Sequence, residues 1–247
     1  MQGSNTDLIY SNPHSQVKDF TFDAQVVEVF PDMVSRSVPG YNTIIDTIGR
    51  LSLRYAKPNT KIYDLGCSLG AATLAMRRAI TEDHVEIIGV DNSDAMVERC
   101  KMHVSAFKGK TPVTIVKDNI EIIEIENASI VVLNFTLQFI EKEKRQALMD
   151  KVFRGLVPGG ILVLSEKITG QSETANELLI DLHHDFKRAN GYSELEIAQK
   201  RTALENVMRP DTLAEHKTRL AQAGFGEVTP WFQCFNFTSM VAIKGEK

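Results

Sequence analysis

Lys61 to Thr73 reads K-I-Y-D-L-G-C-S-L-G-A-A-T. Ile62 to Leu65 is a short apolar strand; small residues then break it, and a helix runs from about Ala71 to Ile80. Gly66 and Gly70 let the chain turn tightly and pass close to a ligand, while the unpaired N–H groups that open the next helix face the same space. Strand, small-residue turn and helix in this order form a cofactor cradle.

Turns of this kind also hold dinucleotides and phosphates. A dinucleotide fingerprint needs G-x-G-x-x-G, and a P-loop needs Lys-Ser or Lys-Thr after its last glycine; neither occurs here. Asp64 to Gly70, D-x-G-x-S-x-G, resembles the first motif of the Rossmann-like S-adenosylmethionine (SAM) methyltransferases, with Ser68 at the middle glycine position. On its own the stretch would also suit a plain strand-to-helix turn. Asp91 separates the two readings: it follows the apolar run Val85 to Val90, 21 residues after Gly70, where a carboxylate at the end of a second strand accepts from both ribose hydroxyls.

The chain of 247 residues is long enough for a substantial core, and its composition is that of an ordinary globular protein, 43% apolar and 24% charged. Cys67, Cys100 and Cys234 are scattered and odd in number, which suggests neither a disulfide framework nor a zinc site and points to a reducing cytoplasm. The apolar runs are too short to span a bilayer, and Met1 to Phe20 is too polar for a signal peptide. A net charge of −4 leaves no basic footprint for a nucleic acid.

Around this centre the expected fold is α/β, a Rossmann-like SAM methyltransferase domain over 20–247. Residues 1–19 read as a flexible tail. Residues 20–57 read as helical lid segments: apolar spacing around Val26, Val27 and Phe30 with Pro31 as a break, a turn at Val38 to Tyr41, and a helix from about Asn42 to Ala56. Strands follow at 61–65, 85–90, 112–116, 129–134 and 161–165, alternating with helices, which predicts a mostly parallel sheet with ligands at its carboxyl edge. Asp64, Asp91, Asn119 and Asn134 all fall at strand ends. Residues 166–210 interrupt the rhythm with a helical insertion. A last helix then leads to two extended runs, 227–234 and 237–244, an antiparallel hairpin.

Several chemistries are disfavoured. His183 and His184 are adjacent, so on a helix they point about 100° apart and cannot share a metal. Cys67 lies near a helix N-terminus, which lowers a thiol pKa, but in a turn that the cofactor should cover. Asn134-Phe135-Thr136-Leu137 stands where amino-directed methyltransferases carry Asn/Asp-Pro-Pro-Tyr/Phe, without the prolines. No side chain offers itself as a general base.

Longer motifs narrow the resemblance. V-F-P-D-M-V-S-R-S-V-P-G-Y (29–41), V-V-L-N-F-T-L-Q-F (131–139), H-D-F-K-R-A-N-G-Y-S-E-L-E (184–196), Q-K-R (199–201), L-E-N-V-M (204–208) and W-F-Q-C-F-N-F (231–237) resemble the bacterial carboxy-S-adenosyl-L-methionine synthases over nearly all of the chain from Phe20. That family turns SAM and prephenate into carboxy-SAM and phenylpyruvate. The product supplies the carboxymethyl group for 5-oxyacetyl-uridine at the tRNA wobble position, so the enzyme itself need not touch tRNA.

The resemblance implies Gly66, Cys67 and Ser68 along the methionine part of SAM, Asp91 and Asn92 at the ribose and adenine, Asn119 and Ile120 on the adenine side, and Asn134 and Tyr41 as further binding residues. Where the family has Asp-Ile, this chain has Asn119-Ile120; an amide oxygen still accepts from an adenine amino group, without the charge. Arg201 is the distinctive match: the resemblance implies it as a binding residue for SAM and its carboxylated product and, with Tyr41, as a catalytic residue. By its sequence alone it is a solvated helix residue beside Lys200. A guanidinium would hinder a plain methyl transfer from a sulfonium but would bind the carboxylate newly placed on that methyl carbon. No metal is implied; a homodimer is, in which Arg201 reaches its own or the neighbouring site. Two other readings remain: a SAM methyltransferase acting on a small acceptor, with S-adenosylhomocysteine as product, and a SAM-binding subunit without turnover.

Overall fold

The structure is a computed structural model and describes residues 6–246. Its centre is one sheet. β1 (Lys61–Leu65), β2 (Glu86–Asp91), β3 (Val113–Lys117), β4 (Ala128–Asn134) and β5 (Leu156–Thr169) run parallel; β7 (Glu227–Cys234) and β8 (Phe237–Ile243) form the terminal hairpin. The strand order is β3-β2-β1-β4-β5-β8-β7, with β8 antiparallel to β5 and the two-residue β6 (Asp211–Thr212) paired to β5 outside this path. The order reverses between β1 and β4, and open α/β sheets bind ligands at such a switch point.

Burial explains the arrangement. β4 is apolar along almost its whole length because both of its faces are covered: residues 128–133 are buried. On one face Ile44, Ile48, Ile62, Met76, Ile130 and Val163 pack together with α2 (Tyr41–Tyr55) and α3 (Ala71–Ala79). On the other, Leu65, Val131, Leu133, Leu148, Val152 and Leu220 pack with α5 (Lys142–Gly155) and α8 (Leu213–Ala223). α4 (Asp94–Ala106) starts at Ser93, whose hydroxyl accepts the Met96 N–H at 3.2 Å. α6 (Glu173–Ala189) and α7 (Glu194–Glu205) supply the insertion expected over 166–210.

Three sequence expectations are corrected. Pro31 does not end a helix: α1 runs from Ala24 to Ser37 through it. The ring costs the helix a single N–H, and Val26, Val27, Val29 and Met33 on the same helix are buried on both sides of it. The strand expected at 161–165 is longer at both ends: β5 starts irregularly at Leu156, with Gly159 at φ +69° and a register shift against β4. At its other end β5 continues past Ser165, because Lys167 pairs with Phe237 and Ile168 with Asp211.

The expected tail is the third correction. Residues 1–5 lie outside the described part, but residues 6–19 pack against α1 and α7. Asp7 is buried; its backbone N–H donates to Asp32 Oδ2 at 2.7 Å, and its carboxylate accepts from the Tyr192 hydroxyl at 2.5 Å and from Lys200 Nζ at 3.3 Å. Gln199 holds the same segment, accepting the His14 N–H and donating to the carbonyls of Tyr10 and Asn12. A polar composition reads as disorder when the partners of its polar groups lie almost two hundred residues away.

Candidate functional site

The cradle is built from the ends of β1, β2 and β4. The N–H groups of Gly66 and Cys67 both donate to the Val90 carbonyl, at 2.7 and 3.0 Å, which bends the chain off β1 toward β2. Gly66 stands at φ +81°, and a Cβ there would lie 2.4 Å from Thr136 Oγ1. Position 66 therefore needs glycine for both conformation and space. Ser68 takes φ +49°, and its N–H donates to Asp91 Oδ2 at 2.9 Å. Asp91 Oδ1 accepts the Ser93 N–H at 3.0 Å. The carboxylate expected at the ribose is thus fixed in the rim of the same turn, and burial pushes its pKa up against these hydrogen bonds.

Asp64 lies beneath this rim, fully buried, accepting from Thr73 Oγ1. Desolvation, opposed by Thr73 and reinforced by Asp91, pushes its pKa up to about 6. Cys67 turns its thiol away from the cradle toward Cys100; the hydrogen bond to Cys100 and burial raise its pKa well above the ordinary thiol value. Cys67 therefore offers backbone to a cofactor and no nucleophile. Asn92 is exposed beside Asp91. The Asp118 N–H donates to the Asp91 carbonyl at 3.1 Å, which brings the β3 exit alongside; there Ile120 is buried and Asn119 exposed, its amide oxygen accepting the Glu121 N–H at 2.9 Å.

Asn134 ends β4, and its side-chain oxygen is buried with no hydrogen-bond partner among the described residues. A buried amide oxygen costs free energy unless a donor reaches it, which suits a ligand that brings one. Tyr41 opens α2 after Gly40 at φ +72° and packs with Ile44 and Phe135 in the apolar cluster on that face of the sheet. Burial first, then the Asp64 charge, raises its phenol pKa, so it acts as a neutral O–H. The segment before α1 reaches the same sheet edge: the Phe22 ring meets Phe139 edge-on at 5.3 Å, and Ser93 Oγ donates to the Phe22 carbonyl at 2.6 Å. Gly66, Cys67, Ser68, Asp91, Asn92, Asn119, Ile120, Asn134 and Tyr41 are thus gathered around the carboxyl edge of the sheet.

Arg201 is different. It is exposed on α7 while its neighbours in the Q-K-R motif, Gln199 and Lys200, are buried against the N-terminal segment. Its positive charge lowers the pKa values of Lys167, Lys187 and His184 in its own chain, so it belongs to a cationic group where α6, α7 and β5 meet. The G-Y-S-E-L-E motif is structural here: Tyr192 is stacked under the Arg36 guanidinium, and Ser193 with Glu196 forms a capping box that starts α7.

Glu166 and Lys167 are two further residues of this edge that lie beyond the strand end at Ser165 read from the sequence, because β5 runs on to Thr169. Glu166 is buried, and its two carboxyl oxygens accept the N–H groups of Leu137 and Gln138 at 2.9 Å each, which holds the chain leaving Asn134. Two consecutive charges continuing a buried apolar run were the available signal.

Residues 62–160 match a family described as a methyltransferase domain. A carboxy-S-adenosyl-L-methionine synthase of Colwellia psychrerythraea is 70% identical over 244 residues, covering 99% of this chain and all of the relative. The chain belongs to the carboxy-S-adenosyl-L-methionine synthase family. The synthase of Vibrio parahaemolyticus is 64% identical over 98% of each chain. Among solved structures, an O-methyltransferase family protein from Burkholderia thailandensis superposes with a TM-score of 0.66 at 15% identity, over 91% of this chain and 61% of that one. Human N-acetylserotonin methyltransferase in complex with SAM gives 0.59 at 16%, over 90% and 55%. These likenesses establish the SAM methyltransferase fold. The chain is an enzyme of the synthase family on a SAM-binding scaffold, and none of its described helices is long and apolar enough to cross a membrane.

Proposed function

We propose that this enzyme converts SAM and prephenate into carboxy-SAM and phenylpyruvate, and that carboxy-SAM then provides the carboxymethyl group for 5-oxyacetyl-uridine at the wobble position of tRNA. The observation that carries the reading is full-length identity of 60–70% to relatives named for carboxy-SAM synthesis. The site agrees with it: the open cradle and the unpartnered Asn134 oxygen suit SAM, and the cations around Arg201 suit a carboxylate.

In this reading Gly66, Cys67 and Ser68 hold the methionine portion by backbone, Asp91 accepts from the ribose, Asn119 and Ile120 flank the adenine, and Asn134 and Tyr41 complete the pocket. SAM supplies an acidified methyl group. Prephenate loses its ring carboxylate as CO2 and its ring hydroxyl as hydroxide; hydroxide takes one methyl proton to give water, and the methyl carbon forms a new bond to CO2. The protein's part is to orient both substrates, exclude water beneath the lid and stabilise the new carboxylate with Arg201. A dedicated side-chain base is unnecessary, which matches the chemistry of the cradle: its Tyr41 phenol is too weakly acidic and its Cys67 thiol turned away.

A cytoplasmic homodimer that does not itself bind tRNA or membrane completes the proposal. Leu178 and Leu182, one turn apart on α6, and Leu195 on α7 are exposed and offer an apolar face to a second copy. Incubation of the purified enzyme with SAM and prephenate, followed by mass spectrometry, should give carboxy-SAM and phenylpyruvate together; S-adenosylhomocysteine would instead assign a methyl transfer.

A further inference from the structure

Four cations meet where the insertion covers the sheet: Lys167 on β5, Lys187 on α6, and Lys200 and Arg201 on α7. Lys200 is answered by Asp7 Oδ2 at 3.3 Å and Ser37 Oγ at 3.1 Å. Lys167 and Lys187 form no ion pair with a carboxylate among the described residues, although Lys187 is only 7% exposed. The charged groups acting on Lys187 are Lys200, Lys167 and Arg201, and the one acting on Lys167 is Arg201. Desolvation, with these like charges, pushes Lys187 down to about 7 and Lys167 down to about 8. The imidazoles beside them, His183 and His184, are also shifted toward the neutral form.

The cluster adjoins the proposed SAM pocket through an aromatic wall. Lys167 Nζ lies 5.9 Å from the centre of the Phe237 ring, the His183 ring meets Phe237 edge-on at 4.8 Å, and Phe135, directly after Asn134, meets it at 5.9 Å. Desolvated ammonium groups gathered without a counter-charge cost free energy, and a bound anion offsets that cost. The wall is aromatic rather than a nest of N–H groups, which suits carboxylates on a ring better than phosphate.

We propose that Lys167 and Lys187, together with Arg201, form a binding pocket for a small dicarboxylate that sits against Phe237 beside the SAM methyl group. It rests on the reading of prephenate as co-substrate, and assigns prephenate's two carboxylates to these cations.

The test uses Lys187→Met and Lys167→Met, which keep the length of the side chain and remove its charge. Prephenate is titrated calorimetrically into the enzyme loaded with S-adenosylhomocysteine, and steady-state KM is measured with SAM. Each variant should bind prephenate at least tenfold more weakly and raise its KM to match, with SAM affinity within twofold of wild type. Lys187→Met should melt at or above the wild-type temperature, since it removes an unpaired buried charge. Unchanged prephenate affinity in both variants, or an equal loss of SAM affinity, would overturn the pocket. A wild-type enzyme that binds prephenate without making carboxy-SAM would remove the proposed reaction and leave the pocket; wild-type turnover with variant KM unchanged would do the reverse.

Discussion

Arg201 is the residue on which the distinction between carboxylation and methylation turns. It is exposed, is paired with no carboxylate among the described residues, and sits with Lys167 and Lys187. Charge-assisted hydrogen bonds contribute about 1.5–3 kcal/mol, or roughly 10- to 100-fold. Arg201→Ala should therefore lower carboxy-SAM formation by about 100-fold while SAM affinity, read by calorimetry, stays within about threefold; parallel loss of both would remove the assigned role. Asn119 gives a gain-of-function test. Its amide oxygen already accepts the Glu121 N–H, and a carboxylate there could accept a second, stronger bond from the adenine amino group. Asn119→Asp should tighten SAM binding severalfold, and an unchanged Kd would place the adenine elsewhere.

The elements that hold the site are tied by buried charges whose partners are distant in the chain. Asp211 on β6 accepts from Arg145 of α5 at 2.6 Å and Arg219 of α8 at 2.8 Å, and Arg145 also donates to the carbonyls of Gln138 and Arg209. Burial alone would raise the Asp211 carboxyl; hydrogen bonds from Lys142 and Arg145 instead hold it down at about 2. A depressed carboxylate adds stability above its ordinary pKa near 3.8 and loses it as pH falls through 2. Asp211→Asn should thus cost about 3–5 kcal/mol at neutral pH by leaving Arg145 buried and uncompensated. The gap between variant and wild-type urea midpoints should then narrow as pH falls from about 5 toward 2. The N-terminal strap follows the same logic: Asp7→Asn leaves Lys200 without its counter-charge and should lower Tm measurably. The signals legible in the chain were local ones. The glycine turn, the alternation of strand and helix, and the polar strand ends depend on neighbours in sequence, and each appears in the fold. The strap, the extended β5 and the Arg145–Asp211 tie depend on pairings between distant parts of the chain, Asp7 with Lys200, Ile168 with Asp211 and Arg145 with Asp211, which no periodicity encodes.

At the scale of the whole molecule, the sheet's carboxyl edge brings one polar end of each central strand to the cradle, while the insertion brings cations to its side. The exposed Leu178 and Leu182 give the proposed dimer a direct check. The double change Leu178→Glu and Leu182→Glu should halve the mass seen by light scattering; if Arg201 acts within its own chain, the monomer keeps carboxy-SAM synthesis, and if it reaches across, synthesis is lost with the dimer. In the proposed reaction the carbon lost from prephenate ends on the methyl carbon of SAM. Prephenate labelled with 13C in its ring carboxylate, incubated with the enzyme and SAM, tests that transfer by mass spectrometry. Carboxy-SAM should carry the label and form in step with unlabelled phenylpyruvate; unlabelled carboxy-SAM, or S-adenosylhomocysteine in its place, would rule the transfer out.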